Sequence, residues 1–154
     1  MFNMLRCIIV IAHADHVIHP KERDYFETVL SDIGRVYALT GEQKKALAED
    51  FATPRQLEDL FARITDHEHR ALVHYFAEMM AWSDSDVQPD EIRTLEKLNT
   101  SMADDAVALR AIKAIQRDIA EKLKQRNQAY LRRGTQLTAA LQAVMKRLGV
   151  RITG

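Results

Sequence analysis

The sequence predicts an all-α fold, and three observations carry that expectation. No stretch alternates apolar and polar residues with the two-residue period of a strand, and no hairpin turn separates two apolar runs. Five Gly and three Pro in 154 residues leave little of the turn chemistry that an all-β chain needs. Apolar residues instead recur at helical spacing, plainly so at Leu57, Leu60, Phe61 and Ile64 and along the C-terminal third. The composition, 47% hydrophobic and 29% charged, is that of a globular domain able to fill a core.

Six helices are expected before residue 104. The first covers residues 4–14; its apolar side chains, Cys7 and Ile8 to Ala12, surround the axis and predict burial on most faces. Pro20 suits the first turn of the second helix, where its missing N–H has no partner to lose. Glu22 follows near the positive end of the helix dipole. That helix is expected to reach about Ile33 and to stop at Gly34, a C-terminal cap. Thr40 caps the third, and Gln43 completes a capping box with it. Thr53 and Pro54 open a fourth, carrying Leu57 to Ile64. Asp66 opens a fifth, which ends at Trp82, and Pro89 opens a sixth that reaches about Asn99.

From Asp104 the pattern changes. Leu109, Ile112, Ile119, Leu123, Tyr130, Leu137, Leu141, Val144 and Leu148 fall mostly three, four or seven residues apart, a narrow apolar seam with polar flanks. As one unbroken helix residues 104–148 would extend on the order of 65 Å at ~1.5 Å per residue, too far for a small body to cover. Either the chain folds back at Gly134 or the seam pairs with another chain. The organisation expected is thus a helical domain over 1–103 and a basic amphipathic tail, a long helix or a helical hairpin, over 104–154.

One motif occurs twice. Residues 14–22 read ADHVIHPKE and residues 83–91 read SDSDVQPDE, so that Asp15 matches Asp84, Ile18 matches Val87, Pro20 matches Pro89 and Glu22 matches Glu91. Each copy lies between an apolar run and an amphipathic one, which reads as helix, acidic turn, helix. The duplication predicts two helical hairpins related by a pseudo-twofold. It also brings two carboxylate-bearing turns into one small domain. Asp15, Glu22, Asp84, Asp86, Asp90 and Glu91 are the candidate ligands, because hard divalent cations take several oxygens from converging segments. The same residues suit capping: Asp at a helix start accepts backbone N–H groups and Glu in the first turn complements the dipole. An EF-hand is excluded, since Pro89 stands at its glycine position and Leu95 at its twelfth.

The unit of helix, A-D-x-x-I-x-P-x-E and helix, used twice with further helices between, resembles the TerB-like family of tellurite-resistance domains, to which the N-terminal region of the co-chaperone DjlA also belongs. The resemblance covers roughly residues 1–100. It implies a TerB-like helical bundle, stress-associated biology, and a divalent metal ion held by Asp15, Glu22, Asp84 and Glu91. The family usually carries Gly after the motif Asp; here His16 and Ser85 stand there, residues with less backbone freedom.

Other constellations are weaker. His13, His16 and His19 stand three apart beside Asp15 and Glu22, a donor set for zinc, nickel or copper if one face held all three; Pro20 ends the helix too early for that to be assured. His67 and His69 read as exposed, and His74, Trp82, Met79 and Met80 as packing residues. Cys7, the lone cysteine, has no disulfide partner within the chain. No nucleophile elbow, phosphate-cradling loop or dinucleotide fingerprint occurs, so no enzyme class is indicated.

Formal net charge is zero, yet residues 1–103 carry 11 Lys and Arg against 18 Asp and Glu, and residues 104–154 carry 11 against 4. That split points to a tail that docks on the acidic body in the same chain, in a homodimer or on a protein partner, or that meets nucleic acid or an anionic membrane. No run reaches the ~18–20 apolar residues of a membrane span, and the N-terminal apolar stretch lacks a signal-peptide cleavage site. A cytoplasmic location is expected.

Overall fold

A computed structural model describes residues 1–15, 20–53, 55–82, 89–125 and 136–152. Among them are eight helices and no strand: α1 (Phe2–Asp15), α2 (Pro20–Val36), α3 (Gly41–Ala52), α4 (Leu57–Phe61), α5 (His67–Trp82), α6 (Pro89–Met102), α7 (Ala106–Gln125) and α8 (Gln136–Arg147).

The two most apolar helices occupy the centre, as their composition demands. In α5 every residue from 71 to 77 is buried, leaving no face for water. In α1 Met4, Leu5, Cys7, Ile8, Ile9, Ile11 and Ala12 are all at most 2% exposed. A helix without a polar stripe must be enclosed by neighbours, and α5 packs against α1, α6, α7 and α8, while α1 also meets α3, α4 and α6.

Polar contacts give the directions. The Met1 amino group donates to His69 Nδ1 at 3.0 Å, and Asn3 Nδ2 donates to the Arg63 carbonyl at 3.4 Å, so α1 and α5 begin side by side and run parallel. His74 Nε2 lies 2.6 Å from Asn99 Oδ1, and Arg70 donates to the Ser101 carbonyl at 3.3 Å, so α6 returns antiparallel along α5. α2 leans on the end of α3, where Phe26 meets Phe51 edge-on at 5.0 Å.

The basic tail folds back within the chain. Asp105 caps α7, its Oδ1 accepting the Ala108 N–H at 2.9 Å, and its other oxygen receives His67 and Arg70 from the start of α5. Ala108 and Ile112 of α7 and Leu137, Ala140, Leu141, Val144 and Met145 of α8 join the same core as α1 and α5. The seam residue Leu109 is exposed at 37%, and Ala108, one position earlier, faces inward instead. Burial supplies most of the attachment, about 1.5–3 kcal/mol for each enclosed Leu, Ile or Val. One ion pair joins the basic tail to an acidic body residue, Arg147 Nε to Glu68 Oε1 at 3.3 Å. An exposed pair of this kind contributes ~0–1 kcal/mol. No described helix is long and apolar enough to cross a membrane.

Helix ends account for most differences from the sequence reading. The Thr40 capping box forms as expected, with Gln43 N–H donating to Thr40 Oγ1 at 3.2 Å and Thr40 N–H to Gln43 Oε1 at 3.0 Å. Gly34 does not end α2. It lies buried inside the helix, where an added Cβ would stand 3.2 Å from Lys44 Cε. The chain turns four residues later at Ala38, with φ 50°, and Leu39 N–H reaches back to the Gly34 carbonyl at 3.1 Å. That six-to-one bond is the Schellman closure, here made without glycine. α8 ends in the same closure with glycine present: Gly149 has φ 71° and Val150 N–H bonds the Met145 carbonyl at 3.0 Å. Thr53 closes α3 rather than opening α4, its N–H bonding the Glu49 carbonyl at 2.9 Å. α4 lasts five residues, after which Ile64 still reaches the core at 6% exposure from a tight turn.

These two closures predict opposite responses. Ala38→Gly relieves a left-handed alanine and raises unfolding free energy by about 0.5–1 kcal/mol in urea titration; Gly149→Ala lowers it by about 1 kcal/mol.

Candidate functional site

Three of the four sequence-predicted ligands stand at helix ends. Asp15 is the last residue of α1, Glu22 stands in the first turn of α2, and Glu91 in the first turn of α6. Asp84 and Asp86, with His16 and His19, fall outside the described residues, as do the side chains of Asp15, Asp90, Glu91 and Trp82. Glu22 is the one of the four with a described side chain. It is 6% exposed, which is unusual for a carboxylate, and it is engaged in an interaction of its own. Among the described residues no three His, Cys, Asp or Glu side chains are grouped to hold a metal ion.

The helix directions nonetheless relate the two acidic junctions. α1 and α5 start together, run parallel and have nearly equal lengths of 14 and 16 residues. Their C-terminal ends, at Asp15 and Trp82, therefore stand at one end of the bundle. α6 begins at that end and descends beside α1: Thr94 and Lys97 share a cleft with Val10, Ile11 and Ala14. The end of α1, the end of α5 and the start of α6 thus belong to the same pole.

That cleft is about 250 Å³ in volume. Val10, Ile11 and Leu57 give it an apolar floor; Arg55, Gln56, Glu58, Thr94 and Lys97 form its lip. Lys97 Nζ lies 2.6 Å from Glu58 Oε1 and ties α6 to α4. The contact holds the Glu58 carboxyl below the usual carboxylate range. Beneath Arg55 sits Asp50, fully buried. Arg6 grips it with two bonds, Nε to Oδ2 at 2.6 Å and Nη2 to Oδ1 at 2.9 Å, and Arg55 Nε donates to Oδ1 at 3.1 Å. Removing Arg6 would strand much of a buried charge, a change of the kind that costs about 3–5 kcal/mol.

The histidines divide by surroundings. His13 does not join a described metal group; its ring sits edge-on to Phe51 at 5.8 Å, and burial lowers its pKa. His69 is half-buried beside the Met1 amino group, and desolvation lowers its pKa as well. His67 was expected to be exposed and is, while reaching Asp105 at 2.9 Å. His74 is buried at 4% exposure and bridges α5 to α6 through Asn99, the packing role expected of it. Met80 is fully buried, with Met79 packed against the core. Burial pushes the Cys7 thiol up to about 12, which leaves it protonated and unreactive at neutral pH.

Sequence reasoning missed the buried Arg6–Asp50–Arg55 cluster and the His67–Arg70–Asp105 cluster. Arg6 stands 44 residues from Asp50 and Arg70 35 from Asp105, so no local spacing announced either. For Asp105 one signal existed, an Asp directly before an apolar-periodic run, the mark of an N-cap.

Asp105 also makes stability depend on pH. The Ala108 N–H first, then His67 and Arg70, hold its carboxyl below the usual carboxylate range. A folded pKa below the unfolded one stabilises the protein above the unfolded value, near 4, and the gain is lost as pH falls through the folded value. Wild type should therefore exceed Asp105→Asn in melting temperature at pH 6, with the gap closing as pH falls below about 4.

Compared with protein-family models, with curated proteins and with solved structures, the chain matches none of them.

Proposed function

We propose that this is a non-enzymatic, stress-associated TerB-like domain that binds a divalent metal ion through its paired acidic turns, with Asp15, Glu22, Asp84 and Glu91 as ligands. The observation that carries the reading is the parallel start of α1 and α5, with the Met1 amino group 3.0 Å from His69. Helices of like length that begin together end together, and the two copies of the acidic motif leave from that shared end. Two acidic segments of the sequence flank the helix ends at that pole, and a hard cation draws oxygens from separate segments.

A second reading is an interaction module working through the tail. Its support is the outward face of α7, where Arg110, Lys113 and Arg117 stand at three- and four-residue spacing with Val107 exposed at 48% beside them. The described apolar seam of the tail is used inside the chain, so a homodimer or a protein partner would engage this face rather than the seam.

Isothermal titration of the full chain with Ca²⁺, Mg²⁺, Mn²⁺ and Zn²⁺ separates the readings. The metal reading expects saturable heat with one ion, weakened at least ~10-fold in Asp15→Ala and in Asp84→Ala. Heats that are absent, or equal in wild type and both variants, leave the acidic residues as helix caps and favour the interaction module.

A further inference from the structure

We propose that the cleft between α1, α4 and α6 binds a small aliphatic carboxylate, such as a branched short-chain acid or the corresponding amino acid. The proposal does not depend on metal binding at the acidic turns.

Two features of the cleft select that chemistry. The first is a cation held in position and not used up. Arg55 commits one N–H, Nε, to buried Asp50 at 3.1 Å. Asp50 already receives both of its bonds from Arg6, so its charge is met without the second arginine. The two amino groups of Arg55 make no hydrogen bond to any described residue, and its side chain is 45% exposed at the lip. A guanidinium anchored at Nε presents its amino edge as a fork, the geometry that takes a carboxylate with two parallel bonds. Lys97, across the lip, adds a second positive charge against the single negative charge of Glu58. The lip is therefore net cationic although the body around it is acidic.

The second feature is the floor. Val10, Ile11 and Leu57 offer apolar surface at the foot of this cationic lip. A volume of about 250 Å³ holds about eight waters at the ~30 Å³ each occupies in the liquid. It fits a four- or five-carbon branched chain. Bulky polyanions would leave the floor wet, and neutral hydrocarbons would leave Arg55 unanswered. Thr94 and Gln56 supply further lip groups to orient the head. Where the ligand carries an ammonium beside its carboxylate, Glu58 is the acceptor at hand.

The test is a two-dimensional amide NMR titration of the full chain with 4-methylpentanoate, leucine, 3-methylbutylamine and inorganic phosphate. The expected result is saturable shifts confined to α1, α4 and α6 with 4-methylpentanoate or leucine, at a dissociation constant of about 1 mM, and none with the amine. Tighter binding of leucine identifies an amino acid as the source of the carboxylate; tighter binding of the deaminated acid identifies a free acid. Arg55→Gln should weaken binding at least tenfold, and Arg55→Lys should recover part of it. Ala14 is exposed at the cleft wall, so Ala14→Phe fills the cleft without touching the core and should abolish the shifts in a chain that melts like wild type. The proposal is overturned if neither carboxylate produces localised shifts by 20 mM, if phosphate or the amine binds as well as they do, or if Ala14→Phe leaves the titration unchanged.

Discussion

The constraint on which the rest of this structure depends is that α5 has no side it can show to water. Seven consecutive residues of it are buried, and His74 among them meets Asn99 Oδ1 at 2.6 Å. A helix of this kind is unstable until it is covered on all sides. α1, nearly as apolar, covers one side. α6, α7 and α8 cover the others, and each brings an amphipathic stripe rather than an apolar cylinder. The C-terminal basic segment is on this account a structural necessity for α5, whatever else its outward face does.

Apolar burial alone would leave these helices free to slide, because it has no direction. The few buried or half-buried polar links set the register. Arg6 and Asp50 fix α1 on α3, His74 and Asn99 fix α5 on α6, and Asp105 ties the start of α7 to His67 and Arg70. Each joins partners far apart in the chain and within hydrogen-bond distance in the fold. Asp50 then has a second consequence: by accepting one N–H it holds Arg55, which lines the cleft.

Much of the fold was legible in the sequence because periodicity and capping are local. Pro20 and Pro89 open helices, Thr40 and Gln43 close their box, and the dense apolar runs around Ile9 and Val73 lie at the centre. Reading failed where the decision was tertiary. Gly34 has the look of a helix stop, but its missing Cβ serves close approach by Lys44, and Ala38 takes the left-handed turn against its own preference. Leu109 has the seam spacing yet faces out, since a helix laid against α5 admits the smaller Ala108 at that point. The acidic motif was legible only as a repeat. That α1 and α5 end at one pole follows from the pairing of Met1 with His69, and the hold on Arg55 at the cleft from Asp50; neither contact leaves a mark in local spacing.

The central claim, that α5 is the enclosed element on which the bundle condenses, is tested most directly by native-state hydrogen exchange. Amides of residues 71–77 should be the slowest in the chain and should open only by global unfolding, at the same free energy as a urea melt. Those of α1 should accompany them, while α4 and the ends of α2 exchange earlier. If residues 71–77 exchange through a sub-global opening while α7 or α8 stays protected, α5 is not the organising helix and the account fails.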